Sequence, residues 1–291
     1  MRRAAVALAA AVLLTGCTDA AAPADEVTVS GEPGAAPQLT YEAPLTVEEG
    51  SVEVVWEGTG PEVVEGAPVL VHFYAESGAD RSVITDTFSA EPRPYLLSPE
   101  NLGLDIVDAL AGQRVGARIL QLLPPDGTTG AATVAVYDLL PTRADGEEQA
   151  PREGLPTVRL ADDGEPRIEV PEAAPPGDLV VQPLIRGSGR QVAAGQVITV
   201  QYVGVTWTEG TVFDSTWISG KLPASFPIGV GSVMAGWDAG LVEQTVGSQV
   251  LLVVPPDMGY GGADEEVAGD TLVFVVDILA VSGDPVSVGD R

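Results

Sequence analysis

In the last third of the chain, apolar and polar residues repeat with two distinct periods. Ile198, Val200 and Tyr202 alternate with Val197, Thr199 and Gln201, and Leu272, Phe274, Val276 and Ile278 alternate with Val273, Val275 and Asp277. A period of two is that of a strand, so both runs are read as strands. Between them, Met234, Trp237 and Leu241 recur at i, i+3 and i+7. That spacing puts them on one stripe of a short helix beginning near Ser232, a residue type suited to cap a helix N-terminus. Gly236 and Gly240 lower helix propensity but let another element come close. Alternating strands beside a helix with one apolar stripe predict an antiparallel sheet wrapped on a short helix, the α+β class.

The same pattern occurs twice. Leu110-Ala-Gly-Gln-Arg-Val-Gly-Ala-Arg-Ile-Leu-Gln-Leu-Leu-Pro-Pro-Asp126 aligns without a gap on Leu241-Val-Glu-Gln-Thr-Val-Gly-Ser-Gln-Val-Leu-Leu-Val-Val-Pro-Pro-Asp257. Val69–Ala75 resembles Ile198–Gly204, and Tyr137-Asp138-Leu139 resembles Val276-Asp277-Ile278. A chain of 291 residues with 45% hydrophobic residues can build a core in each of two units. The expected organisation is a domain over 47–141, a second over 177–282 and a tail over 283–291. Segments 18–46 and 142–176 are rich in Ala, Pro, Gly, Asp and Glu, a composition that repays little of the entropy of ordering, so they are read as a flexible tether and a linker.

At the N-terminus, Arg2 and Arg3 precede an apolar run from Ala4 to Leu14, and Leu14-Thr15-Gly16-Cys17 follows, containing the single cysteine. The run is too short for a membrane-spanning helix, and the arrangement over 1–17 resembles a bacterial lipoprotein signal. That resemblance implies lipid on Cys17 and a protein exported and anchored on the outer face of the cytoplasmic membrane. An ordinary secretory signal that happens to carry a cysteine is the plainer alternative, and export is common to both. With no second cysteine there is no internal disulfide, so the folded part relies on its cores.

Charge narrows the partners. Lys+Arg number 14 against 42 Asp+Glu, a formal net charge of -28, which weighs against nucleic acid and against electrostatic attachment to anionic lipid. The acidity is read as a solvated surface. No Asp-rich loop has calcium-ligand spacing, so no metal is expected. No oligomerisation signal stands out, and a monomer is the default.

Five blocks then follow in one order between Val200 and Leu279: Val-Gln-Tyr-Val-Gly, Phe-Asp-Ser-Thr, Met-Ala-Gly-Trp-Asp-Ala-Gly-Leu, Pro-Pro-Asp-Met-Gly-Tyr-Gly and Thr-Leu-Val-Phe. This ordered set resembles an FKBP-type peptidyl-prolyl cis-trans isomerase. The resemblance implies two FKBP-like domains, proline-containing polypeptide clients and no cofactor. It also implies a pocket with Trp237 as floor, Tyr202, Phe226 and Phe274 as sides, Val233 and Met234 as rim, and Asp214 and Tyr260 as polar contacts. Phe213 is read equally as wall or as packing, and Val267 replaces an apolar loop contact. Tyr202, Asp214, Trp237, Tyr260 and Phe274 form the expected catalytic set, with Phe213, Phe226, Val233, Met234 and Val267 around the substrate.

Two departures bear on specificity. Ala224 stands where relatives carry an aromatic, and Gly261–Asp270 is a short loop in which Asp264, Glu265 and Glu266 are read as solvated. The N-terminal copy has Phe73 for Tyr202, Tyr95 for Phe226, Ile106 for Trp237 and Ala135 for Phe274, which predicts a folded, inactive copy with an open apolar depression. His72, the single histidine, is read as a surface residue. The leading reading is a lipid-anchored isomerase that helps exported proteins fold, its N-terminal domain holding clients or acting as a spacer. A non-catalytic proline-peptide or chaperone module and a purely structural envelope lipoprotein are the other two.

Overall fold

The computed structural model describes residues 27–127, 130–218, 222–260, 267 and 269–286. Cys17, the expected signal and the acidic residues Asp264, Glu265 and Glu266 lie outside them.

The first unit opens with a hairpin, β1 (Thr28–Ser30) and β2 (Gln38–Thr40). It continues through β3 (Ser51–Trp56), β4 (Pro68–Ser77), β5 (Val83–Asp86), β6 (Arg93–Leu96), α1 (Pro99–Leu102), α2 (Leu104–Leu110), β7 (Arg118–Leu123) and β8 (Thr133–Leu140). The second contains β9 (Gly146–Glu148), the hairpin β10 (Thr157–Leu160) and β11 (Pro166–Glu169), β12 (Val180–Gly187), β13 (Val197–Thr206), β14 (Val212–Ser215), β15 (Ala224–Pro227), α3 (Ala235–Leu241), β16 (Gln249–Val254) and β17 (Leu272–Ser282). One sheet runs β3-β7-β8-β4-β5 with β6 also on β4, and the other runs β12-β16-β17-β13-β14 with β15 on β13 and β9 added outside β12. Apart from β9, the two orders are the same. Both sheets are antiparallel, and helices are few.

Register makes the correspondence residue by residue. Gly204 faces Phe274 and Asp214, as Ala75 faces Ala135 and Thr85. Thr216 Oγ1 accepts the Tyr202 N–H at 2.8 Å, and Thr87 Oγ1 accepts the Phe73 N–H at the same distance.

Each sheet is covered on both faces. On the inner side, α3 covers a core of Val200, Leu241, Val250, Leu252, Val276 and Ile278, and α2 covers its counterpart around Val71, Leu110, Ile119 and Leu139. On the outer side, segments read from composition as tether and linker supply the cover. Val27, Tyr41, Leu45 and Val47 pack on Leu120, Val134 and Val136, and Leu155, Val158, Ile168 and Val170 pack on Val203, Val205, Leu251, Val253, Val273 and Val275. The tether reading therefore fails over residues 27–46 and the linker reading fails wherever β9, β10 and β11 form. The reason is that neighbouring strands are apolar on both faces, and burying a large apolar side chain is worth about 1.5 to 3 kcal/mol.

Three smaller readings also change. Ser232 is not the helix cap: α3 begins at Ala235, Met234 takes the cap position, and no side chain caps it. Part of the expected tail is ordered, Val286 donating its N–H to Ala194 O at 2.8 Å. His72 is half-buried, stacked on Phe88 at 4.5 Å with Nδ1 3.0 Å from Thr87 Oγ1, and burial pulls its pKa down.

A carboxylate pins each outer cover. Asp138 is bonded by buried Arg118 through Nε at 2.5 Å and Nη2 at 2.7 Å, and the same Nη2 reaches Ala35 O at 2.7 Å. The guanidinium lies 4.3 Å from the Trp56 ring centre and 5.7 Å from that of Phe88. Asp277, at the matching position, accepts the Ala144 N–H at 3.0 Å and the Gln249 amide at 2.8 Å, while the Gln201 amide donates to Thr142 O.

Two stability effects follow. Arg118→Ala strands a buried carboxylate and frees the hairpin, and is expected to cost about 3–5 kcal/mol in urea unfolding. Burial pushes the Asp277 carboxyl from 3.8 up to about 6, against the downward pull of Ala144, Gln249 and Arg143. A raised carboxyl favours the folded state when protonated: its contribution is full below the unfolded pKa and is lost as pH rises through about 6. The stability difference between the parent and Asp277→Asn should therefore change by about 3 kcal/mol across that window. Equal pH dependence in the two proteins would contradict it.

Candidate functional site

The site lies on the inner face of the second sheet, where α3 crosses it. A methyl carbon added at Gly236 would sit 2.5 Å from Val254 Cγ1, and one at Gly240 would sit 2.7 Å from Leu252 Cδ2. The two glycines thus let α3 seat directly on β16. This close seating buries Trp237, leaving it 4% exposed at the centre of an aromatic group.

Four rings make up the cluster. Tyr202 on β13 meets Trp237 at 5.1 Å between ring centres, Phe226 on β15 at 5.5 Å and Phe274 on β17 at 5.4 Å, each nearly perpendicular to the indole. Edge-to-face contact of this kind adds about 0.5–1.5 kcal/mol per pair beyond burial. Phe213 on β14 extends the wall, packing edge-on against Phe274 at 5.5 Å and against Tyr260 at 6.3 Å. This geometry packs Phe213 against the cluster. Gly204 is what admits both rings, because a methyl carbon there would meet Phe274 at 2.8 Å and Phe213 at 2.9 Å. Val233, Met234 and Val267 are part-buried against the same cluster, and Tyr260, 42% exposed, lies beside Phe213 at its edge. The ten residues expected from sequence thus lie in or beside one cluster.

Polar groups are few and placed at the edge. The Tyr202 hydroxyl donates to Asp214 Oδ2 at 2.5 Å, and Asp214 Oδ1 accepts the Ser215 N–H at 2.8 Å. Burial first, and then the bonded Asp214 carboxylate, hold the Tyr202 phenol well above the ordinary tyrosine range, so it remains a donor. The Trp237 Nε1–H is buried and has no acceptor among the described residues. Met234 O accepts from the N–H groups of Trp237 and Asp238, while the Met234 N–H enters no hydrogen bond among the described residues. Ala224, on β15 opposite Val200, presents only a methyl group where the pattern favoured an aromatic.

Sequence reasoning missed Asp238. Its two oxygens accept the Gly229 and Gly231 N–H groups, each at 2.6 Å, and both glycines have positive φ. The carboxylate ties the turn before Val233 and Met234 to α3, fixing the rim. The Gly-x-Gly turn seven residues upstream was the available signal.

The first unit forms no such box. Phe73 meets Tyr95 at 5.8 Å and Tyr137 at 5.3 Å. Instead of leaving an open depression, fully buried Tyr137 fills the interior from the position that Val276 occupies in the other unit. Its hydroxyl donates to Gln121 Oε1 at 2.6 Å, and the Gln121 amide donates to Asp105 O at 2.8 Å. Thr85 replaces Asp214, and Phe73 lacks the hydroxyl that Asp214 holds.

Known proteins resemble the second unit. The family model described as FKBP-type peptidyl-prolyl cis-trans isomerase matches residues 188–279. An FK506-binding protein of Streptomyces anulatus is 38% identical over 120 residues, spanning 40% of this chain and 96% of that protein. The FK506-binding protein of Neisseria meningitidis serogroup A is 38% identical over 109 residues, spanning 36% of this chain and 97% of its own length. Among solved structures, the three FKBP domains of wheat FKBP73 align over 80% of this chain and 94% of that one, at 18% identity and a TM-score of 0.34.

Asp214→Asn removes the charge and keeps the shape. The Tyr202 phenol should then titrate at lower pH in an ultraviolet difference titration, though still above ordinary tyrosine because it stays buried. An unchanged titration would mean that Asp214 does not govern this hydroxyl.

Proposed function

The chain belongs to the FKBP-type peptidyl-prolyl cis-trans isomerase family, and we propose that its second unit catalyses rotation about X-Pro bonds of exported polypeptides. In this reading the first unit carries no reaction and instead holds clients or spaces the site from the membrane. The observation that carries the proposal is the aromatic box around Trp237 with the Tyr202–Asp214 pair at its edge.

An X-Pro amide resists rotation by about 18–20 kcal/mol because its planar form has partial double-bond character. The planar form is also the more dipolar and is favoured by water. A ring held among Tyr202, Phe226, Trp237 and Phe274 exchanges that water for apolar walls, which destabilises the planar form relative to the twisted one. The Met234 N–H holds a carbonyl of the substrate, and the Tyr202 hydroxyl, kept in place by Asp214, with Tyr260 at the mouth, supplies fixed dipoles where the rotated carbonyl turns. No bond breaks, and neither a nucleophile nor a cofactor is required. Val233, Phe213 and Val267 shape the entrance around the neighbouring residues.

Export and anchoring belong to the same proposal. Arg2, Arg3, the apolar run to Leu14 and Cys17 support a lipid-anchored protein on the outer face of the cytoplasmic membrane, acting as a monomer on clients emerging there. A second reading, a proline-binding module without catalysis, draws on Ala224, which leaves one wall low.

The deciding experiment follows cis/trans isomerisation of short X-Pro peptides by the chain lacking residues 1–17. The parent should accelerate the change, with Asp214→Ala and Trp237→Ala each losing at least about tenfold, or about 1.4 kcal/mol of transition-state stabilisation. A background rate from folded parent protein across several residues before proline would defeat the isomerase reading in favour of the binding module.

A further inference from the structure

A cleft of about 1080 Å³ separates the two units, lined by residues of both. Its first wall includes Val64, Tyr95 and Leu96, and its second includes Trp217 and Ile218, with the connection from Pro141 to Asp145 also lining it. Val64 is 52% exposed, Leu96 37% and Ile218 52%, so apolar side chains meet solvent on both sides.

The second wall is joined to the proline pocket through a short, fixed run of chain. Trp217 follows Asp214 by three residues, so their Cα atoms are at most about 11 Å apart. That run is held in place: the Thr216 N–H donates to Tyr202 O at 3.0 Å, and the Trp217 N–H donates to Ser215 Oγ at 3.0 Å. Thr216, which bonds the Tyr202 backbone, itself lines the cleft, while the Trp217 side chain packs toward the outer face of the sheet. Charge narrows the guest further, since Glu62, Asp145 and Asp163 line the cleft with Arg143 as its one cation among the described residues.

We propose that the cleft between the two units binds the extended segment of an unfolded, neutral-to-basic polypeptide flanking the proline in the Trp237 pocket. The proposal rests on the isomerase reading for the pocket alone. The first unit then contributes affinity for long clients while performing no chemistry, and the apolar residues on facing walls take alternate side chains of an extended guest.

The test uses Val64→Asp and Leu96→Asp separately, both on exposed positions of the first unit, with unfolding curves to confirm the fold. Turnover of a short X-Pro peptide should be unchanged. Binding of a long, unfolded, lysine-bearing and proline-containing polypeptide, followed by fluorescence anisotropy, should weaken about tenfold. If the parent binds the long chain no tighter than the short peptide, or if both variants bind it as the parent does, the proposal falls. A shift from dimer to monomer in sedimentation caused by the substitutions would also overturn it, because the cleft would then be a contact between copies. Failure of short-peptide turnover in the parent, with the long-chain effect intact, would remove the isomerase reading and leave the cleft standing.

Discussion

A sheet whose central strands are apolar on both faces has to be covered twice, and nearly everything in this chain follows from that constraint. Val250 to Val254 and Leu272 to Leu279 are all buried, and Asp277 is the one polar residue among them. One face meets the helix that carries Trp237. The other needs apolar cover, and the chain supplies it from the segment just upstream of each sheet. In both units a carboxylate at the matching position of the last strand secures that segment, yet the captured group differs. Asp138 works through Arg118 to hold the carbonyl of Ala35, while Asp277 holds the N–H of Ala144 itself. Solving the same geometric problem with opposite backbone groups leaves Asp277 without a full counter-charge, which is why burial dominates its titration.

The two interiors differ by a coordinated set of exchanges. With Phe274 on β17, position 204 must be glycine; with Ala135 on β8, position 75 can carry a methyl group. With Trp237 on the helix, the facing strand offers Val276; with the smaller Ile106, the strand offers Tyr137, whose ring occupies the interior. A buried phenol needs a partner, and Gln121 meets that need while also bonding the helix at Asp105. Thr85 in place of Asp214 and Phe73 in place of Tyr202 complete the change. One interior is an aromatic cluster with a polar edge, and the other is a core filled by Tyr137.

The aromatic cluster was legible because its residues serve two patterns at once. Tyr202 and Phe274 fall on the strand period, Trp237 falls on the helix stripe, and all of them fall within the ordered blocks. The outer covers were not legible from composition, because Ala, Pro and Gly dominate 18–46 and 142–176 and conceal the few residues that pack. Tyr41, Leu45 and Val47, and then Leu155, Val158 and Ile168, are widely spaced and show no period. The stronger signal lay in the strands themselves, where Val273 and Val275 sit at positions that an exposed face would have made polar. Asp238 was missed for a related reason: on a helix it reads as a solvated residue, and only the folded turn brings Gly229 and Gly231 to its oxygens.

What sets the second unit's interior apart is the spacing between helix and sheet. Gly236 and Gly240 bring α3 against Val254 and Leu252, so the indole is pressed against the sheet and buried among the rings. In the first unit the aligned positions carry Asp105 and Ala109, and the residue matching Leu252 is Gln121, which bonds the helix backbone in place of packing beneath a glycine. Side chains at those positions forbid the same close seating. A tryptophan placed at Ile106 alone would therefore lack both the glycine-set depth and the space that Tyr137 already fills. The aromatic cluster is a property of the helix seat as much as of its rings.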